Sequence, residues 1–212
     1  CDALFVASCL PPEDDSYRQL QDLGMPIIAI DRTLDPARFC SVISDDCEAS
    51  LQLTRSLLTP LPQQIALIGA RPELSISQAR AAGFKQALEG FEGEILIEHG
   101  AAFSRDCGRR IIDELLERLG HFPEALVTTS YVLLQGMFDA LLEHPDHTPP
   151  LRLATFGDTQ LLDFLPLPVN AMGQQHPLIA EKALELALAA IEDRRYEPGI
   201  RAIARTFKQR IQ

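Results

Sequence analysis

Short apolar runs alternate with longer stretches of helical spacing from one end of this sequence to the other. The runs are Ala3–Ala7, Pro26–Ile30, Ile65–Ile68, Ile95–Glu98, Ala125–Thr129, Arg152–Phe156 and Val169–Met172. Between them the spacing predicts a short polar helix ending at Leu23, a helix starting at Asp45 or Asp46 and stopping before Pro60, and a helix over Ser77–Glu89. Further helices follow over "CGRRIIDELLERLG" with Gly120 as its stop, over Tyr131–Leu142, briefly around Gln160–Phe164, and over Pro177–Ile191. Val42–Ile43 reads as a brief strand or crossover, and Ile200–Ile203 as a final extended stretch. Antiparallel strands alone would not need the helices; parallel strands need a crossover for each neighbour, so the alternation predicts parallel βαβ architecture. A single Rossmann-like domain and a two-lobed binding fold both satisfy it.

With 212 residues, 46% of them apolar, the chain is long enough for a sizeable core. Its 30 acidic against 19 basic residues give a formal charge of -11, which leaves no electrostatic footprint for duplex DNA or an anionic membrane. Nucleic-acid binding would need a separate module. The five cysteines, Cys1, Cys9, Cys40, Cys47 and Cys107, form no CxxC pair and have no accompanying histidine ligand set, so they read as reduced, small hydrophobic residues. No apolar run approaches the length of about 18 residues that a membrane span needs, and no secretory signal is visible, which reads as soluble and cytoplasmic. The first strand begins almost at residue 1 with no cap or linker, as in a chain whose beginning is absent.

The polar residues at strand ends carry the chemistry. In "RPELSISQARAAGF", 71–84, Ser75 and Gln78 have capping-box spacing, and Ala79, Gly83 and Ala87 form a small face for close packing on the sheet. Arg80 shares part of that inward side near the carboxyl end of the preceding strand, where open α/β sheets place their ligands. Its donor fork suits a carboxylate, a phosphate or sugar hydroxyls; an internal ion pair bracing two elements fits the spacing as well. Asp158, delivered by Gly157 after the strand, either accepts hydroxyl hydrogens of a polyol or caps the helix that follows. Phe103, in the loop after a strand, either covers the apolar face of a sugar or packs between helix and sheet, while Ser104 caps the next helix. Ser8, Asp31, Arg32, Thr129 and Ser130 add further polar groups at strand ends. Such a set, rich in neutral groups and poor in titratable ones, points to binding rather than turnover. GxGxxG, Walker and GxSxG motifs are absent, "HPDH" at 144–147 reads as a solvated turn, and His176 as part of a helix start. Neither a cofactor nor a metal is expected, and no enzymatic nucleophile or base can be assembled.

"MPIIAIDR" at 25–32, "SD" at 44–45, "IALIG" at 65–69, "ARAAGFKQAL" at 79–88, "ALVTTS" at 125–130, "LQG" at 134–136, "LATFGD" at 153–158 and "LPLPVNAMGQ" at 165–174 together resemble the effector-binding core of LacI-type bacterial transcription repressors. The resemblance runs collinearly over essentially the whole chain. It implies a periplasmic-binding-protein-like α/β fold of two Rossmann-like lobes with parallel sheets, the effector lying between them. Residues 1–43 and 173–196 would belong to the N-terminal lobe, and 44–172 and 197–212 to the C-terminal lobe. The first strand-helix units of the N-terminal lobe, a hinge helix and a DNA-binding helix-turn-helix would precede Cys1. By the same resemblance Arg80 and Asp158 are the polar effector contacts and Phe103 an apolar wall, with Ser130, Ser8, Asp31 and Gln174 as further contacts. Ser130 departs from the asparagine or aspartate frequent in the family. "LPPEDDSYRQ", "ARPELSISQARAAGF" and "TTSYVLLQGMFDALL" are similar to the fructose-repressor group. For that group the resemblance implies fructose 1-phosphate as effector, or fructose 1,6-bisphosphate, an allosteric change in operator affinity, and a homodimer or higher homo-oligomer with no membrane partner. A solute-binding protein of a sugar transport system and an enzyme acting on a sugar phosphate are the competing expectations.

Overall fold

In chain order the elements are β1 (Leu4–Val6), α1 (Ser16–Gln21), β2 (Ile27–Ile30), β3 (Cys40–Ser44), α2 (Asp46–Arg55), β4 (Gln64–Ala70), α3 (Ser75–Ala87), β5 (Glu94–Gly100) and α4 (Arg105–Leu119). They continue as β6 (Ala125–Thr128), α5 (Tyr131–Glu143), β7 (Arg152–Phe156), a 3-10 turn (Gln160–Phe164), β8 (Val169–Gly173), α6 (His176–Glu192), β9 (Gly199–Ile203) and β10 (Thr206–Lys208). This computed structural model describes residues 1–7, 10, 14–144, 150–192 and 195–211. Ser8 and Cys9, and residues 145–147 of "HPDH", lie outside the described residues. The chain divides into two units, 1–45 with 174–205 and 46–173 with 206–212.

Period-two alternation builds the sheet of the first unit. Its strands run in the order β1-β2-β3-β9, all parallel. Ile28, Cys40 and Val42 point to one face and pack on Ile179, Ala183 and Ala187 of α6, while Ile27 and Ala29 point to the other and meet Tyr17, Leu34 and Phe39. Two sequence expectations change here. Residues 40–44 make a full buried strand instead of a brief one, because β2 and β9 both ladder onto it; its buried Ser41 is accommodated by accepting a hydrogen bond from the Leu34 amide at 3.2 Å. The tail expected wholly in the second unit is divided: β9 pairs with β3 from Cys40↔Gly199 to Ser44↔Ile203, and only the residues from Thr206 onward belong to the second unit.

The second unit carries a sheet in the order β10-β8-β7-β6-β4-β5, parallel except for the antiparallel edge strand β10, which sequence reading had missed. Ala66, Ile68 and Ala70 of β4 face a core shared with α4 and α5, including Ile112, Leu115, Leu133 and Met137. Ile65 and Leu67 face the opposite core, with Leu53 of α2 and Phe84 of α3. Ser104 caps α4 by accepting from the Cys107 amide, and Gly120 closes it in the left-handed conformation with φ 77°, as the spacing predicts. The capping box predicted for α3 does not form. Leu74 holds the N-cap position without a side-chain bond, and Ser75 is already helical. Ser77 instead donates to the Ala70 carbonyl at 2.7 Å and ties the helix to the strand before it. The small face at Gly83 also serves a different neighbour from the one expected: a Cβ there would lie 2.0 Å from the Cys47 carbonyl oxygen, so the glycine lets α2, and not the sheet, approach.

Candidate functional site

Parallel strands end on the same edge, and in the second unit the register aligns what they deliver. Gly69 pairs with His99, Ile68 with Thr128 and Thr128 with Thr155. The next position along puts Thr129 and Phe156 in the same transverse row as Gly69, on the α2 and α3 face. Arg80, one turn into α3, reaches over this row. It is 7% exposed, its Nε donates to Asp46 Oδ1 at 2.8 Å and its Nη1 to the Thr129 carbonyl at 2.6 Å. Its guanidinium carbon stands 4.2 Å above the centre of the Phe156 ring, a cation–π contact.

Asp46 begins α2, where the positive end of the helix dipole favours a carboxylate. The Arg80 carbonyl in turn accepts from Ser50 Oγ of α2 at 2.6 Å. Of the two readings left open by the spacing, the internal ion pair is therefore formed, and Asp46, which sequence reading placed only as a helix start, is its partner. The pair fixes the direction of the guanidinium fork at the strand edge. Beside it, Thr129 Oγ1 is buried with no hydrogen-bond partner among the described residues.

Asp158 follows Gly157, whose φ of 93° is closed to most side chains and whose missing Cβ would sit 2.9 Å from the Tyr131 ring. The capping alternative for Asp158 fails, because Thr159 caps the 3-10 turn by accepting from the Leu161 amide. Asp158 Oδ1 instead accepts from Arg210 Nη2 at 2.7 Å. Arg210 went unnoticed in the sequence because its partners lie far away in the chain and it sits in a short polar tail with no periodicity. Its Nε also holds Asp163 Oδ1 at 2.7 Å, and Lys208 Nζ reaches the same oxygen at 2.9 Å. The hydrogen bonds from Lys208 and then Arg210 hold the Asp163 carboxyl below its ordinary range.

The remaining candidates separate. Phe103 is half-buried and packs one side against the core under α4 and α5. Ser130 is the N-cap of α5, its hydroxyl accepting from the Val132 amide at 3.3 Å. In the first unit Asp31, with φ 68°, accepts on Oδ1 from Gln174 Nε2 at 2.9 Å, so these two predicted residues are in direct contact. Ser8 lies outside the described residues. His176 is the first residue of α6, as read from the sequence. His99 lies over Gly69, and burial pushes its imidazole below the ordinary histidine value. No helix among the described residues is long and apolar enough to cross a membrane.

The carboxyl edge of this sheet carries a braced arginine, a braced aspartate, a hydroxyl with no partner among the described residues and a helix cap, on a periplasmic-binding-protein-like α/β scaffold. Residues 1–144 match the family described as periplasmic binding proteins and sugar binding domain of LacI family, and the chain belongs to that family. Among its relatives, it is 46% identical to the fructose operon regulatory protein of Vibrio cholerae, over 99% of this chain and 64% of that one. It is 36% identical to the catabolite repressor/activator of Escherichia coli, over 99% of this chain and 63% of the relative. The chain thus spans slightly less than two thirds of these curated relatives. The crystal structure of the Cra transcriptional dual regulator from Pseudomonas putida in complex with fructose 1-phosphate superposes with a TM-score of 0.94 at 69% identity, covering 100% of this chain and 78% of that one.

Proposed function

We propose that this chain is the effector-sensing part of a DNA-binding transcription regulator of carbon metabolism, that its effector is a phosphorylated fructose, and that effector binding changes operator affinity. The observation that carries this reading is the 69% identity, over the whole chain, to a regulator solved with fructose 1-phosphate. The fructose operon regulatory protein at 46% identity supports the same sugar class. In this reading Arg80 and Asp158 are the polar contacts, Thr129 and Ser130 line the strand edge beside them, and Phe103 is an apolar wall of the site. Asp31 and Gln174 of the first unit are further contacts, and Ser8 is carried only by the resemblance. The reading asks for binding and a change of state, with no bond made or broken. It also includes a cytoplasmic homodimer or higher homo-oligomer acting on a two-fold operator.

Calorimetry on the full-length protein with fructose 1-phosphate, fructose 1,6-bisphosphate and unphosphorylated fructose tests the effector. Fluorescence anisotropy on operator DNA with and without that effector tests the output. Tight binding of fructose 1-phosphate with a change in operator affinity is expected. Binding with no operator affinity would favour the solute-binding protein that the same family description includes, and conversion of the sugar phosphate would favour an enzyme. Unchanged effector affinity in a folded Arg80→Ala variant would remove Arg80 from the contacts.

A further inference from the structure

Asp158 is held from the tail of the chain, and the way it is held carries a consequence for what it can recognise. The Arg210 side chain is 9% exposed and its guanidinium spans two carboxylates, Asp158 through Nη2 and Asp163 through Nε, each at 2.7 Å. Its backbone is fixed as firmly: the amides of Arg210 and Ile211 both donate to Asn170 Oδ1, at 2.8 and 2.9 Å, and Arg210 Nη1 reaches the Val169 carbonyl at 3.3 Å. Burial pulls the guanidinium towards losing its proton, but the bonds to Asp158 and Asp163 outweigh that effect and the net direction is upward. Lys208 shares Asp163 at 2.9 Å. Two carboxylates therefore meet two cations, and the cluster has no net charge.

We propose that Arg210 is a positioning residue for the effector site: by holding Oδ1 of Asp158 it sets the plane of the carboxylate, presents Oδ2 to ligand hydroxyls and offsets a charge that would repel an anionic sugar phosphate. This rests on the proposed function of the preceding section. A bare carboxylate at a sheet edge binds the hydroxyls of a neutral sugar well, but it opposes a phosphorylated one by like-charge repulsion. A carboxylate already paired with a buried arginine keeps its acceptor oxygens and loses most of that repulsion. Its orientation is also settled before the ligand arrives, which lowers the ordering cost of binding.

The test is a double-mutant cycle read in fructose 1-phosphate affinity by calorimetry on the full-length protein, with Arg210→Met, Asp158→Asn and both together. Arg210→Met is expected to weaken binding about tenfold or more in the wild-type background and less than about twofold in the Asp158→Asn background. Arg210→Lys keeps the charge but not the fork, and is expected to lose a few-fold, again only where Asp158 is intact; it serves in place of Arg210→Met if that variant does not fold. A purely structural role predicts the same loss in both backgrounds, and that result, or no loss at all, overturns the proposal. Failure of the wild-type protein to bind fructose 1-phosphate would instead bring down the functional reading on which it stands.

Discussion

Replacing Asp46 by alanine isolates what braces the candidate site. The side chains of Arg80 and Asp46 are 8% and 9% exposed, so their interaction is little screened by salt. A guanidinium does not shed its proton to escape burial, so Asp46→Ala leaves a buried cation without its carboxylate. Breaking a buried pair from one side costs about 3–5 kcal/mol. Two of the arginine's other supports survive the substitution, the Thr129 carbonyl at 2.6 Å and the Phe156 ring at 4.2 Å. The expected loss therefore sits at the lower end, about 3 kcal/mol, which is roughly a hundredfold in the unfolding equilibrium. Urea unfolding followed by circular dichroism reads it as a lower midpoint at unchanged slope. Replacing both partners, Asp46→Leu with Arg80→Met, removes the stranded charge and is expected to recover stability to within about 1 kcal/mol of wild type. A single-variant loss below about 1 kcal/mol, or a double variant no better than the single one, would refute the reasoning, because the pair would then contribute no more than an exposed one.

Gly83→Ala places a methyl group 2.0 Å from the Cys47 carbonyl and 2.9 Å from Ser50 Cβ, so α2 and α3 separate at a cost of about 1–3 kcal/mol despite alanine's better helix propensity; a melting temperature at or above wild type would contradict the close approach. Burial lowers the folded-state value of His99 below the ordinary one, so the unfolded chain binds more protons between the two values, and the stabilisation from this residue falls as pH drops through about 6.5 towards the folded value. His99→Gln should therefore show a shallower loss of stability on acidification than wild type in denaturation series across that window; parallel curves would rule this out. Thr129→Val removes a buried hydroxyl that has no partner among the described residues, so thermal stability is expected to hold or rise by up to about 1 kcal/mol. If that hydroxyl serves a ligand, effector affinity falls in the same variant, and a stability loss above about 1 kcal/mol would mean the hydroxyl is satisfied in the folded protein.

What the sequence made legible was what local periodicity and local turn chemistry control. β7 falls at Arg152–Phe156, as read from an isolated apolar run, and Ser104 and Gly120 bound α4 through contacts with residues three or four positions away. Where long-range pairing decides, the reading fell short. The polar Ser41 disguised β3 until β2 and β9 were in place on either side, and β10 is a strand only because β8 offers it an edge. The small-residue face of α3 was visible, but its target was not, because spacing reports that a helix can approach something closely and not what it approaches. The strand-edge residues were likewise visible as a set, through the rule that parallel sheets bind ligands at their carboxyl ends.

The partners of the two polar anchors were not visible, and they change what the anchors can do. Arg80 is tied to a residue 34 positions away and Asp158 to one 52 positions away. The first cluster pairs Arg80 with Asp46, and the second sets Arg210 and Lys208 against Asp158 and Asp163, two cations facing two carboxylates. Paired, pre-oriented donors and acceptors suit sugar hydroxyls, which gain from fixed geometry and ask for no counter-ion. A phosphate asks for one. In the proposed reading these clusters of the second unit therefore select the fructose moiety, and the phosphate draws its positive charge from groups outside them. Charge-neutral substitutions within the clusters should consequently alter the preference among sugars more than the preference for a phosphorylated over an unphosphorylated one. Arg210→Met should do the reverse, because it uncovers the Asp158 charge.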